Sequence, residues 1–187
     1  MPVPLIDLTR NQAQLAEIEA AVVRVVRSGH YILGPEVEKL EQELADYLGC
    51  RHALTMSSGT DALLAPMMAL GIGPGDEVVL PTYSFFATAG TVARTGARPV
   101  FVDSEPTFKN IDPELLDAAL KRCANPKAVV GVHLFGAAFD VDAVVRICRE
   151  HSVPLIEDAA EAVGTRTASL AGSDLNQPAA VSLSWVP

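Results

Sequence analysis

The chain is poor in cysteine, in aromatic residues and in basic charge. Its 187 residues include three cysteines, Cys50, Cys123 and Cys148, with no CxxC pair. So sparse and odd a set argues against a disulfide framework or a cysteine zinc site, and fits thiols in a reducing compartment. Lysine and arginine number 14 against 23 aspartate and glutamate, a formal charge of −9. Nucleic-acid binding needs surplus cations to neutralise phosphates, so this balance argues against it. Long apolar runs are also missing: the longest, Ala62 to Gly73, contains Pro66 and is too short to span a bilayer. The opening Met1-Pro2-Val3-Pro4-Leu5-Ile6-Asp7 has neither the basic nor the apolar region of a secretory signal. The expectation is a cytoplasmic protein with no nucleic-acid or membrane partner. Neither a Walker A loop nor a GxGxxG fingerprint is present, so nucleoside triphosphate and dinucleotide sites lack motif support.

What the chain does have is apolar mass: 49% hydrophobic residues and a mean hydropathy of +0.26, enough for a sizeable core. Leu15, Ile18, Val22 and Val25 recur at helical spacing, as do Val37, Leu40, Leu44 and Tyr47. From His52 short apolar runs alternate with longer helical segments. Strands are predicted at His52–Met56, Val78–Leu80, Pro99–Val102, Ala128–Val132 and Pro154–Glu157. Helices are predicted at Gly59–Leu70, Ser84–Thr95, Pro113–Arg122 and Val141–His151. Such alternation predicts an α/β three-layer sandwich with a mostly parallel central sheet. The domain reading is a helical segment over residues 1–50 and a larger domain over 51–187. In such sheets ligands lie outside the carboxyl ends of the strands.

Three strand ends carry candidate chemistry. Ser57-Ser58-Gly59-Thr60 opens a helix, where free backbone N–H groups, hydroxyls and the helix dipole suit a phosphate; a plain Ser N-cap is the alternative. Tyr83, Phe85 and Phe86 follow the second strand and offer a stacking face or simply core. Asp158 follows the fifth strand at its carboxyl end, where it could hold a cation or a protonated ring nitrogen, or cap a helix starting at Ala159. Glu157 and Glu161 flank it, but no histidine stands at metal-ligand spacing, so no metal site is predicted. His133 reads as a hydrogen-bonded polar residue at a strand end. A phosphate cradle, an aromatic face and a carboxylate together are what pyridoxal phosphate requires.

The ordered segments Gly29-His30-Tyr31-Ile32-Leu33-Gly34-Pro35, Ser57-Ser58-Gly59-Thr60-Asp61-Ala62-Leu63, Gly73-Pro74-Gly75-Asp76, Phe85-Phe86-Ala87-Thr88, Gly96-Ala97-Arg98-Pro99, Val132-His133-Leu134-Phe135-Gly136 and Glu157-Asp158-Ala159-Ala160 resemble the DegT/DnrJ/EryC1/StrS sugar aminotransferases. The likeness runs from residue 4 to about 165 and implies the fold-type I aminotransferase scaffold. It implies Ser58, Gly59 and Thr60 on the cofactor phosphate, Phe85 on the ring, Asp158 on the ring nitrogen and Glu161 near the phenolic oxygen. It further implies amino transfer, with glutamate as donor, to a nucleotide-linked keto-sugar by a homodimer. Ser182-Leu183-Ser184-Trp185-Val186-Pro187 resembles a further family motif, which gives Ser184 to the phosphate.

The chain departs from that pattern in three ways. Pro66 falls inside the helix after the phosphate loop, where proline costs about 3 kcal/mol or a kink. Beyond Thr165 the family signals dissolve. The Schiff-base lysine expected two residues after Pro187 is absent, and Lys39, Lys109, Lys121 and Lys127 stand in no matching context. No catalytic residue is therefore assigned. The expectation is an inactive fragment that lacks its C-terminal part, with a non-enzymatic remnant or dimerisation half, or a lysine-free dehydratase-like homologue, as alternatives.

Overall fold

The computed structural model describes residues 13–165 and the short strand Ala180–Ser182. The described residues fall into two compact units that divide between Thr55 and Met56.

The first unit holds two helices. α1 (Leu15–Ser28) ends at Gly29, and α2 (Pro35–Leu48) begins with Pro35 behind Gly34. Proline suits a first turn, whose N–H has no helical partner, and Glu36 and Glu38 there complement the helix dipole. α2 stops at Gly49, whose φ of 68° lets the Cys50 N–H fold back onto the Ala45 carbonyl at 3.0 Å. The strand expected over His52–Met56 does not form. The Thr55 N–H and hydroxyl instead donate to the Glu41 carboxylate at 2.8 and 2.9 Å, so a side chain takes the bond a ladder would need.

The second unit is an α/β sandwich around a parallel sheet. Its strands are β1 (Glu77–Pro81), β2 (Arg98–Val102), β3 (Pro126–Val132), β4 (Leu155–Asp158) and β5 (Ala180–Ser182). Their spatial order is β2-β1-β3-β4-β5, and every pairing is parallel. Helices α3 (Gly59–Ala69), α4 (Phe86–Thr95), α5 (Pro113–Arg122) and α6 (Val141–Glu150) cover it. Successive strand residues face opposite sides. Val78, Leu80, Ala128, Val130 and Ile156 pack with Leu63, Met67 and Val92 of α3 and α4. Val79, Val129 and Leu155 pack with Leu116, Leu120, Val144 and Ile147 of α5 and α6. Burial on both faces explains why Ala128-Val129-Val130-Gly131-Val132 reads as a continuous apolar run.

Helix boundaries follow local chemistry. Asp112 accepts from the N–H groups of Glu114 and Leu115 and Pro113 takes the first turn, so α5 matches its predicted range. Asp140 caps α6 through the Ala143 N–H at 3.0 Å. α3 runs through Pro66 without a break in the helix. No helix among the described residues is long and apolar enough to cross a membrane.

Candidate functional site

The sheet order locates the crevice. From β1 the chain crosses by α4 to β2 on one side, then returns by α5 to β3 on the other. Strand order therefore reverses between β1 and β3, the switch point outside whose carboxyl ends sheets of this kind form their ligand crevice. The segments after these two strands supply its walls. Phe85 stands at the N-cap of α4 with an extended backbone and is 75% exposed. Phe86 is exposed too, so these rings are free faces and not core. From the β3 side Phe135 reaches the Tyr83 ring edge-on, with centroids 6.4 Å apart. Phe135 is exposed and sits at φ 54°, a left-handed conformation that a bulky side chain adopts only under constraint. Part of the constraint is Glu161: its Oε2 accepts the Phe135 N–H at 2.7 Å. Asn110 adds to it, accepting from the Leu134 N–H at 3.3 Å and donating to the Ala137 carbonyl at 2.9 Å.

Asp158 is the last residue of β4, not the residue after it, and is 7% exposed. Turns follow over residues 159–165, so it caps no helix there; its Oδ1 accepts from the Ala160 N–H at 3.3 Å. On the α4 side the Thr88 hydroxyl reaches Oδ2 at 3.4 Å, and Thr88 is itself 2.7 Å from the Ser84 hydroxyl. Burial pushes the Asp158 carboxyl above the usual carboxylate range. The Ala160 N–H, Thr88 and His133 oppose the rise, and Glu161 adds to it. A desolvated carboxylate with two long hydrogen bonds is an acceptor in want of a cation.

Ser58 is the N-cap of α3, its Oγ accepting from the Asp61 N–H at 3.1 Å. Gly59 and Thr60 form the first turn, where free N–H groups and the dipole favour an anion. The Asp61 carboxylate lies in that neighbourhood. It accepts from Ser57 Oγ at 2.5 Å and Ser58 Oγ at 3.1 Å, which hold it below the usual range, and Arg94 approaches at 3.7 Å. Ser184 lies outside the described residues, although β5 brings Ser182 into register with Asp158.

The lysines are engaged elsewhere. Lys39 pairs with Glu43, Lys121 with Asp117, and Lys109 donates to the Pro106 carbonyl. Lys127 stands at the amino end of β3, opposite the crevice. Among the described residues no group of three or more His, Cys, Asp or Glu is arranged to hold a metal ion.

A model of the DegT/DnrJ/EryC1/StrS aminotransferase family matches residues 12–182. The chain belongs to that family. Over 163 residues it is 47% identical to the UDP-2-acetamido-2-deoxy-3-oxo-D-glucuronate aminotransferase of Pseudomonas aeruginosa, covering 87% of this chain and 45% of that protein. It superposes on the crystal structure of DesV from S. venezuelae with a TM-score of 0.83 at 40% identity, covering 87% of this chain and 43% of that one. A second solved relative, NtdA from Bacillus subtilis with bound cofactor PMP, gives a TM-score of 0.82 at 34% identity, covering 87% of this chain and 37% of that one. This member thus spans less than half the length of these relatives.

The donor set suits such a cofactor. Asp158 would suit a cationic ring nitrogen, the free Phe85 ring a flat face, and the α3 N-terminus a phosphate, with the Asp61 and Glu161 carboxylates as opposing charges. Two features of the site are not legible in the sequence. The Tyr83–Phe135 pair depends on the strand order, and the partner of Glu161 lies 26 residues away along the chain.

Proposed function

We propose that this chain forms the cofactor-holding half of a pyridoxal-phosphate-dependent aminotransferase of a nucleotide-linked keto-sugar. Glutamate is the amino donor and a homodimer the working assembly. The observation that carries the reading is the buried Asp158 carboxylate at the carboxyl end of β4, in a member of a sugar aminotransferase family.

When bound, the cofactor supplies an electron sink and a carrier for the amino group. The chain's own residues hold it. Asp158 keeps a proton on the ring nitrogen, since a desolvated carboxylate is stabilised by a neighbouring positive charge. Phe85 covers one ring face and keeps water off it. Ser58, Gly59 and Thr60 bind the phosphate through N–H and hydroxyl donors, and Ser184 joins them. Glu161 would lie toward the phenolic oxygen; its Oε2 already accepts the Phe135 N–H, which offsets part of its charge. The amine nucleophile is not among these residues, because all four lysines lie in other settings. The chain alone therefore binds the cofactor reversibly and does not turn over.

Titrating the chain with pyridoxal phosphate and following absorbance tests this. Expected are saturable binding, loss of the reduced cofactor on dialysis after borohydride treatment, and no consumption of glutamate. Stoichiometric borohydride fixation together with glutamate-driven turnover would overturn the inactivity. Absence of saturable binding would overturn the cradle.

A further inference from the structure

Behind Asp158, on the side of the sheet that faces α5 and α6, four residues interlock. Gly131 leaves room for a ring: a Cβ there would stand 2.6 Å from Phe139 Cε1. Phe139 stacks on the His133 imidazole, with centroids 4.3 Å apart and planes within 9°. His133 Nε2 lies 2.9 Å from Glu157 Oε2, and both side chains are sheltered, at 8% and 15% exposure. Opposite a carboxylate oxygen Nε2 is the donor, and Nδ1 is buried with no partner among the described residues.

Glu157 and Asp158 are successive residues of β4, so their side chains leave opposite faces of the strand. The backbone couples them to the same residue, for the His133 N–H donates to the Asp158 carbonyl at 3.0 Å. Among the described residues the Asp158 carboxylate has only the 3.4 Å and 3.3 Å hydrogen bonds from Thr88 and Ala160, too long to fix its direction. Its aim must come from the strand that carries it.

We propose that His133 is a positioning residue, which by gripping Glu157 behind β4 sets the direction in which Asp158 presents its carboxylate to the cofactor's ring nitrogen. The inference rests on the cofactor reading above. Among the described residues the titratable groups near Asp158 are His133 at the end of β3, on the opposite face, and Glu161 in the turn after β4, while α4 contributes the Thr88 hydroxyl.

The test uses the whole chain in two variants, with Glu157→Met as an independent break from the other partner. His133→Phe keeps a ring on Phe139 and removes the bond to Glu157; His133→Gln restores an N–H donor where Nε2 stood. Two quantities are read: the titration midpoint of the Asp158 carboxyl carbon by 13C NMR without ligand, and the Kd for pyridoxal phosphate by fluorescence. His133→Phe and Glu157→Met should each displace the midpoint and weaken binding about tenfold, the scale of lost orienting partners elsewhere. His133→Gln should return both close to the parent values. The proposal falls if His133→Phe leaves both unchanged, or if His133→Gln behaves as His133→Phe does. Should the parent chain bind no pyridoxal phosphate, the cofactor reading fails by itself, and the ligand-free titration still decides the role of His133.

Discussion

The two edges of the sheet are built to different specifications. At the amino edge Glu77 is buried at the start of β1, ion-paired with Arg98 of β2, and accepts the Asn125 N–H at 2.9 Å. Asn125 also donates to Gly75 at 3.2 Å and Asp76 at 2.8 Å, while Asp76 accepts the Gly73 N–H at 2.9 Å. Each of these polar groups is answered. At the carboxyl edge Asp158 is buried like Glu77 but has two long bonds, Phe135 is held left-handed, and Phe85 and Phe86 face solvent. One edge uses its polar groups to hold three strands together. The other leaves a carboxylate and several rings available, which is costly for an unliganded fold and useful to one that binds.

The strongest break of this contrast is Glu77→Ala. It leaves the Asn125 N–H without its acceptor and should cost about 1.5–3 kcal/mol in chemical denaturation, the range for a hydrogen bond to a charged group. Cofactor binding should be unaffected. Next comes Gly131→Ala, whose methyl would collide with Phe139 and should cost about 1–3 kcal/mol by overpacking, with weakened cofactor binding if the His133 clamp depends on that ring.

Asp158→Asn should act in the opposite sense on stability. The folded-state pKa of Asp158 is raised, so the protonated carboxyl is favoured by folding. Its contribution is full below the unfolded value near 4 and is lost as pH rises through the folded one. The neutral amide should therefore raise Tm at pH 7, and the gain should vanish below about pH 4. Cofactor binding should weaken at pH 7. A Tm unchanged at pH 7 would mean that the two edges carry the same electrostatic load. The smallest effect concerns thiols: burial pushes Cys148 up to about 12, whereas Cys50 is exposed. Alkylation of the native chain at pH 8 should label Cys50 and spare Cys148 until denaturant is added.

Legibility differed from element to element for physical reasons. α5 could be bounded to the residue because Asp112, Pro113 and the basic last turn are local signals. β3 was nearly as plain, since burial on both faces leaves an unbroken apolar run from Ala128 to Val132. His52–Met56 has a strand's composition, yet pairing is not local, and the Glu41 side chain claimed Thr55. The candidate ligands divide in the same way. Ser58, Gly59 and Thr60 are adjacent and announce a helix start, and Asp158 follows an apolar strand. His133 with Glu157, and Phe135 with Glu161, are 24 and 26 residues apart, with nothing in either segment to name the other.

The low cysteine count, the acid excess, the alternation of apolar runs with helical segments and the helix caps were determined by the sequence itself, because each is a sum or a short-range pattern. The tertiary structure decided which carboxylate is desolvated, which strand ends meet and which backbone is held left-handed. Those outcomes depend on strand order, which joins residues far apart in the chain and is fixed only when both faces of the sheet are covered.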